Sequence, residues 1–189
     1  MFFGSGEIYG IVDEKSEIVE VYNKDNALYT LNPELPRDII VIAHTDLLRE
    51  REVWTRIIDH LHAGTTFMIA GFSGGITDVN QVNNFLARVG LPWVVRQDYR
   101  TDAVLNRDAG GKRLVSQLPV ENGYHTCSIQ NVEQTDVWYY DAGGVLDIAY
   151  ILASVAFTEA GQGKIGVIGG VFEQAVFDAI VLVMCGFAV

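Results

Sequence analysis

One short loop has the residue types and spacing of a nucleophile elbow. Gly71-Phe72-Ser73-Gly74-Gly75 fits the pattern Gly-x-Ser-x-Gly, after an apolar run and before a segment with helical spacing. In such a turn the glycines let the backbone approach closely and the central side chain is raised above the sheet. The N–H groups of Gly74 and Gly75 can then stabilise an oxyanion. The pattern predicts Ser73 as a catalytic nucleophile, and a plain glycine-rich turn without function has the same spacing.

A serine nucleophile needs a base, and one histidine is a candidate for that role, whereas a second is a candidate for substrate binding. His125 lies in a predicted strand and can act as the base for Ser73, or it is an exposed strand residue. His44 follows an apolar strand at the edge where open α/β sheets bind ligands, or it is hydrogen-bonded locally.

A charged run downstream of the loop offers further substrate contacts. Tyr99 and Arg100 lie between two acidic residues in a predicted strand. An arginine binds a carboxylate or phosphate through two parallel N–H groups, so Arg100 is a candidate substrate-binding residue together with Tyr99. The same run also suits a solvent-facing strand with Asp–Arg pairs.

Composition excludes several classes of function. The chain has 189 residues, 13 Lys and Arg and 24 Asp and Glu, which gives a net charge of −11. Such a surface repels nucleic acids and anionic lipid, so we expect neither as a partner. There is no P-loop, no dinucleotide fingerprint and no His/Cys/Asp/Glu cluster with metal-ligand spacing, so we expect no cofactor and no metal. Two cysteines and no recognisable signal peptide favour a cytoplasmic location.

The elements around the loop predict one α/β domain over residues 1–189. Apolar runs at 38–43 and 65–71 alternate with helical spacing at 47–61 and 79–89, which is typical of a parallel sheet with right-handed crossovers. Further strands are predicted at 93–105, 124–132 and 137–140, and a hairpin at 153–168. Turns are expected at 110–111 and 121–123. Residues 171–187 predict a buried closing helix that can also serve as a homodimer contact.

Two segments resemble the class I glutamine amidotransferase-like family. The helix–strand–elbow segment 57–75 is similar to the family's Gly-x-Cys-x-Gly segment, with Ser73 at the position of the nucleophilic cysteine. The segment 165–173 is similar to its His-Pro-Glu segment, with Glu173 at the position of the glutamate and Val171 at that of the histidine. The resemblance covers residues 38–187. It implies a three-layer, flavodoxin-like domain with a mostly parallel sheet and helices on both faces.

The departures from the family pattern change the expected chemistry. A serine without the family's histidine does not support glutamine hydrolysis, because serine is a weak nucleophile unless a base removes its proton. The resemblance therefore implies a small-molecule enzyme that uses Ser73 and Glu173 in hydrolase, lyase or cyclase chemistry. In such an enzyme Glu173 can act as a general acid or base if it is buried. A non-catalytic member that binds a metabolite or a protein is the first alternative. A serine esterase of the α/β-hydrolase type, with Ser73, Asp102 and His125 as a triad, is the second.

Overall fold

The computed structural model describes residues 19, 21, 23–35, 37–42, 45–70, 76, 78–110, 115–142 and 151–187, without the side chains of 98–101 and 121–126. Four α-helices are present in this part of the chain: α1 (Lys24–Thr30), α2 (Arg51–His62), α3 (Val79–Val89) and α4 (Gln174–Met184). Two 3-10 helices lie at Thr45–Arg49 and Gln134–Asp136. Eight strands form one sheet: β1 (Ile39–Ile42), β2 (Thr66–Ala70), β3 (Val94–Leu105), β4 (Glu121–Gln130), β5 (Val137–Asp141), β6 (Ala153–Ala160), β7 (Gly163–Ile168) and β8 (Gly170–Phe172).

The parallel half of the sheet consists of β1, β2 and β7. Ile42 lies opposite Ile69, and Ala70 lies opposite Ile168, so the three strands run in the same direction. The expected helices follow β1 and β2. The Asp78 carboxylate caps α3 by accepting the N–H of Gln81 at 3.2 Å, and Gly90 ends that helix at φ 87°. The strand–helix–strand–helix order predicted for this half is confirmed.

The antiparallel half comprises β3, β4, β5, β6 and β8. Its strands make antiparallel pairs throughout, and β6 also pairs antiparallel with β7. The prediction of a mostly parallel sheet is therefore wrong: two of the described pairings are parallel and six are antiparallel. The reason is the length of the connections. Parallel neighbours need a crossover of a dozen residues or more, whereas the turn between β6 and β7 contains only Gly161 and Gln162.

Gly169 joins the two halves. Its N–H donates to the Ser154 carbonyl at 2.8 Å, and its carbonyl accepts the Cys127 N–H at 3.1 Å, so it lies between β6 and β4. A Cβ at Gly169 would lie 2.5 Å from the Cys127 carbonyl oxygen. Only glycine permits so close an approach of two backbones. After β7, which pairs with β6, the chain can thus change its partner at Gly169 and pair with β4 as β8.

Helices cover both faces of the sheet. Successive residues of a strand point to opposite faces, so Phe67 and Ile69 pack on the side of α2 and α3. Met68 and Ala70 pack on the side of α4. This arrangement establishes an α/β domain. Within the described ranges, no helix is long and apolar enough to cross a membrane.

Three local predictions differ from the structure. The expected single helix over 47–61 is divided at Glu50, which has extended backbone angles of φ −82° and ψ 109°. The expected turn at 121–123 is part of β4, because Gly123 pairs with Phe172 of β8. For the same reason the closing helix begins at Gln174 rather than at Val171. Short strands are specified by their tertiary partners more than by local preference.

Candidate functional site

The parallel strands bring three chain segments to one edge of the sheet. β1 ends at Ile42, β2 at Ala70 and β7 at Ile168, and their pairing aligns these ends. Open α/β sheets bind ligands in the crevice outside the carboxyl ends of such strands. The segments that start here are those carrying His44, the elbow and Gly169. His44 and residues 71–75, which include Ser73, Gly74 and Gly75, lie outside the described residues.

The chain on both sides of the elbow is held firmly. Ala70, before it, is buried and lies opposite Ile168. Ile76, after it, is 2% exposed, and its carbonyl oxygen lies 3.9 Å from the Cys127 Sγ. The core thus anchors the two ends of the elbow against β7 and β4. These anchors are consistent with a strand–turn–helix connection, which a nucleophile elbow requires.

Asp78 fixes the start of the helix that follows the elbow. Its carboxylate accepts a hydrogen bond from Arg49 Nη2 at 3.0 Å as well as the Gln81 N–H. The Arg49 hydrogen bond, with a smaller contribution from the Gln81 N–H, lowers the pKa of Asp78 below its ordinary value. The N-terminus of α3 is therefore tied to the 3-10 helix Thr45–Arg49, which follows β1.

His125, Tyr99 and Arg100 are placed by their backbones. His125 lies in β4, opposite Thr101 of β3 and opposite Gly170 of β8. Gly170 is two residues beyond Ile168, which pairs with the last residue before the elbow. Tyr99 and Arg100 lie in β3 between Gln97 and Thr101, where the register against β4 shifts. Such irregularities bend a strand and are frequent next to active sites.

The residues at the positions of the family's histidine and glutamate differ in exposure. Val171 is half-buried and pairs with Tyr124 in the sheet. Glu173 is exposed, and it is the N-cap residue of α4 without a side-chain capping bond. The burial that would prepare Glu173 for acid–base chemistry is therefore absent in this structure.

The cysteines have the environment of core residues. Cys127 lies in β4 and is 2% exposed. Cys185, predicted inside the closing helix, is the C-cap residue of α4, and burial raises the pKa of its thiol to about 12. A thiol with so high a pKa provides little thiolate near neutral pH. Among the residues for which coordinates are described, no three His, Cys, Asp or Glu side chains come together to hold a metal ion.

One surface feature was missed by the reasoning from sequence. A cleft of about 400 Å³ lies between α3 and the segment that joins the first 3-10 helix to α2, and Arg49, Arg51, Arg88 and Trp54 contribute to its lining. The sequence signal for it is the concentration of four of the nine arginines in the two helical segments 47–61 and 79–89.

The comparisons with known proteins support the fold alone. No protein-family model and no curated protein matches this chain. The cytoplasmic protein STM1381 of Salmonella typhimurium LT2 has a similar structure, with a TM-score of 0.58 and 14% identity over 98% of this chain and 84% of that one. The β-galactosidase of Rahnella sp. R3 has a TM-score of 0.49 and 10% identity over 85% of this chain. That of Bacillus circulans sp. alkalophilus has a TM-score of 0.47 and 12% identity over 79% of this chain.

The β-galactosidases are much longer than this chain. The matched region spans only 26% of the Rahnella enzyme and 21% of the Bacillus circulans enzyme. Similarity at this level of identity concerns the arrangement of helices and strands.

Proposed function

We propose that this chain is an amidotransferase-like domain that acts on a small carbonyl compound, with Ser73 as its nucleophile. The main support for this proposal is that β1, β2 and β7 all end at the same edge of the sheet. Since β2 ends there at Ala70, the elbow begins at this edge. Helices on both faces of the sheet support a three-layer, flavodoxin-like arrangement. The antiparallel half is the departure from that arrangement.

The proposed reaction begins with the addition of the Ser73 hydroxyl to the carbonyl carbon. The N–H groups of Gly74 and Gly75 stabilise the oxyanion that forms. His125 accepts the serine proton and passes it to the leaving group, and water then releases the acyl group from Ser73. His44, Tyr99 and Arg100 are the proposed substrate contacts, and Arg100 binds a carboxylate or phosphate of the substrate.

Glu173 has a smaller role in this proposal than the resemblance implies. Its exposure at the N-cap of α4 fits a solvated carboxylate better than a residue that transfers a proton. Glutamine hydrolysis is not proposed, because neither a cysteine at position 73 nor a histidine at position 171 is present.

Hydrolysis of 4-nitrophenyl acetate and related esters tests the enzymatic proposal. We expect Ser73→Ala to abolish turnover, and His125→Ala to lower it by about 100-fold, the range of general-base catalysis. Ser116→Ala is the matched control, because Ser116 is an exposed serine distant in sequence from the elbow. Equal activity of the wild type and Ser73→Ala would refute the catalytic role.

A non-catalytic binding domain is the second candidate. It is favoured by the half-buried Val171 at the position of the family's histidine and by the exposure of Glu173. A metabolite that raises the melting temperature without being converted would support it. The serine esterase of the α/β-hydrolase type gains no support, because only β1 and β2 precede the elbow in the described part. The homodimer and the cytoplasmic location remain predictions.

A further inference from the structure

A second concave surface lies on the helical layer, and we call it the arginine cleft. It is formed between α3 and the segment 48–54, has a volume of about 400 Å³, and is lined by Arg49, Arg51 and Arg88 among others. This volume is within the range of small-molecule sites, which is about 300–1,000 Å³. None of the residues that form it belongs to the elbow or to the proposed catalytic set.

The charge of the lining is one-sided. The whole chain has a net charge of −11, yet the described residues that line the cleft include no Asp or Glu. Arg49 is already neutralised, because its guanidinium lies 3.0 Å from an Asp78 oxygen and 3.5 Å from an Asp46 oxygen. For Arg51 and Arg88, by contrast, no carboxylate partner is found in the described part of the chain.

The nearby acidic residues are engaged outside the cleft. Glu50 and Glu52 both pair with Lys24, at 3.2 and 3.0 Å. They therefore do not supply the missing partners of Arg51 and Arg88. The two guanidinium groups remain available to an anion from solution.

Arg88 is held in place by an aromatic ring. Its guanidinium carbon lies 3.9 Å from the centroid of the Trp54 ring, which is a cation–π contact. Leu48 and Phe85 are buried and provide an apolar floor beside it. The cleft thus combines two arginines, of which Arg88 lies over an aromatic ring, with apolar residues at its base.

We propose that the arginine cleft binds a small organic oxyanion, a phosphate or carboxylate with a compact apolar part. Arg51 and Arg88 donate to the oxyanion, since a guanidinium matches the geometry of carboxylate and phosphate oxygens. The side-chain amides of Gln81 and Asn84, which also line the cleft, are available as further hydrogen-bond partners. The apolar part of the ligand lies against Leu48 and Phe85.

Calorimetric titration of the full chain tests this proposal with four probes. Phenyl phosphate and benzoate carry both the anion and the apolar part, whereas inorganic phosphate and benzyl alcohol each lack one of them. We expect saturable binding of phenyl phosphate or benzoate, at least threefold weaker binding of the two incomplete probes, and weaker binding at higher salt concentration. The stronger of the first two probes identifies the phosphate or the carboxylate as the preferred anion.

Substitutions assign the binding to the cleft. The double variant Arg51→Gln/Arg88→Gln is expected to weaken binding of the preferred probe at least tenfold. Arg88→Lys keeps the charge but loses the planar donor pair, and it is expected to weaken binding about threefold. Arg107→Gln removes an exposed arginine on a turn outside the cleft and is expected to have no effect. Circular dichroism checks that every variant is folded.

Any of three results would overturn the proposal. One is the absence of saturable binding of both phenyl phosphate and benzoate to the wild type, and another is undiminished binding to the double variant. The third is binding of a glutamate-rich peptide at Arg51 and Arg88 without binding of the small probes, which would make the cleft a docking surface for an acidic protein segment.

Discussion

The parallel and antiparallel halves of the sheet are held together in different ways. In the parallel half, backbones approach so closely that a Cβ at Gly163 would collide with the Thr65 carbonyl oxygen and lie 2.5 Å from that of Leu61. In the antiparallel half, buried side chains hydrogen-bond to loops: the Tyr139 hydroxyl donates to the Pro119 carbonyl at 2.7 Å. The two halves thus differ in their packing: close backbone contact marks the amino end of β7, and side-chain hydrogen bonds to loops mark the antiparallel half.

Asn83 connects the two halves. Its side-chain amide donates to the Val95 carbonyl at 2.9 Å and accepts the Val95 N–H at 2.7 Å, so it joins α3 to the first residues of β3. The position of α3, and with it the end of the elbow, therefore depends on both halves.

The largest effect is expected where the parallel half is tightest. Gly163→Ala places a methyl group against two backbone carbonyls that cannot move independently, so we expect a loss of about 4 kcal/mol in the free energy of unfolding. Gly110→Ala, in the antiparallel half, brings its Cβ only to 3.0 Å from the Thr135 carbonyl oxygen and is expected to cost about 1 kcal/mol. Urea denaturation measures both values.

Gly90→Ala is the control for backbone strain without collision. Gly90 has φ 87°, and apart from its chain neighbours no described residue has an atom within 4 Å of the position that an alanine Cβ would take. The cost of about 1 kcal/mol therefore comes from the left-handed backbone alone. If Gly163→Ala lowers the free energy of unfolding by no more than Gly90→Ala does, close backbone packing does not distinguish the parallel half from the antiparallel half.

A moderate effect is expected from the buried asparagine of the antiparallel half. Asn106 donates from its side-chain nitrogen to the carbonyls of Gln134 at 3.0 Å and Val137 at 2.9 Å, and its side-chain oxygen accepts the Asp108 N–H at 3.0 Å. Asn106→Ala leaves these groups unpaired and should cost about 3 kcal/mol. Asn83→Ala, which removes two bonds between the halves, should cost about 2 kcal/mol.

The unfolding transitions of these two variants sharpen the comparison. If the halves unfold together, both substitutions shift one common transition seen by fluorescence and circular dichroism. Asn32→Ala, which removes only an exposed hydrogen bond to the Glu34 N–H, is the control and should change the free energy by less than about 0.5 kcal/mol. A separate early transition in Asn106→Ala would show that the antiparallel half unfolds alone.

The smallest effects concern one carboxylate in each half. The Arg49 hydrogen bond lowers the pKa of Asp78, whereas burial raises the pKa of Asp136, against weaker opposing hydrogen bonds from Thr158 and Thr135. Asp78 therefore stabilises the fold above its unfolded pKa near 3.8, and this contribution is lost as the pH falls through its lowered folded pKa. The contribution of Asp136 depends on pH in the opposite direction. It stabilises the fold most below pH 3.8, and this contribution is lost as the pH rises through the raised pKa of the folded state.

Melting temperatures at neutral and acidic pH check these signs. Asp78→Asn should lower the melting temperature at pH 7 and have less effect at low pH. Asp136→Asn should raise it slightly at pH 7, and this gain should shrink below the folded pKa. A lower melting temperature of Asp136→Asn at pH 7 would contradict burial as the main influence on this carboxyl group.

The parallel half could be predicted from sequence because its signals are local. Asp78 and Gly90 mark the two ends of α3, and continuous apolar residues mark β1 and β2. The antiparallel half depends on partners distant in sequence: Gly123 reads as a turn residue, yet its pairing with Phe172 makes it part of β4. The short helix α1 was not predicted, although its N-cap Asn23, which accepts the Asn26 N–H at 2.9 Å, is a local signal.

For the candidate site, the place of the elbow could be predicted from the sequence, but the surroundings of Glu173 could not. The order of strand, elbow and capped helix places the elbow at a strand end without any tertiary information. The exposure of Glu173 could not be predicted, because it depends on how β8 and α4 meet. The arginine cleft requires the packing of Trp54 against Arg88, which lie on separate helices.

The most direct test of the central claim is labelling of the elbow serine with a fluorophosphonate, followed by peptide mass spectrometry. The account predicts a single adduct on the peptide that contains Ser73, its loss in Ser73→Ala, and its retention in Ser116→Ala. An unlabelled Ser73, or equal labelling of Ser73 and Ser116 in the wild type, would contradict the claim that the carboxyl edge of the parallel half carries an activated nucleophile.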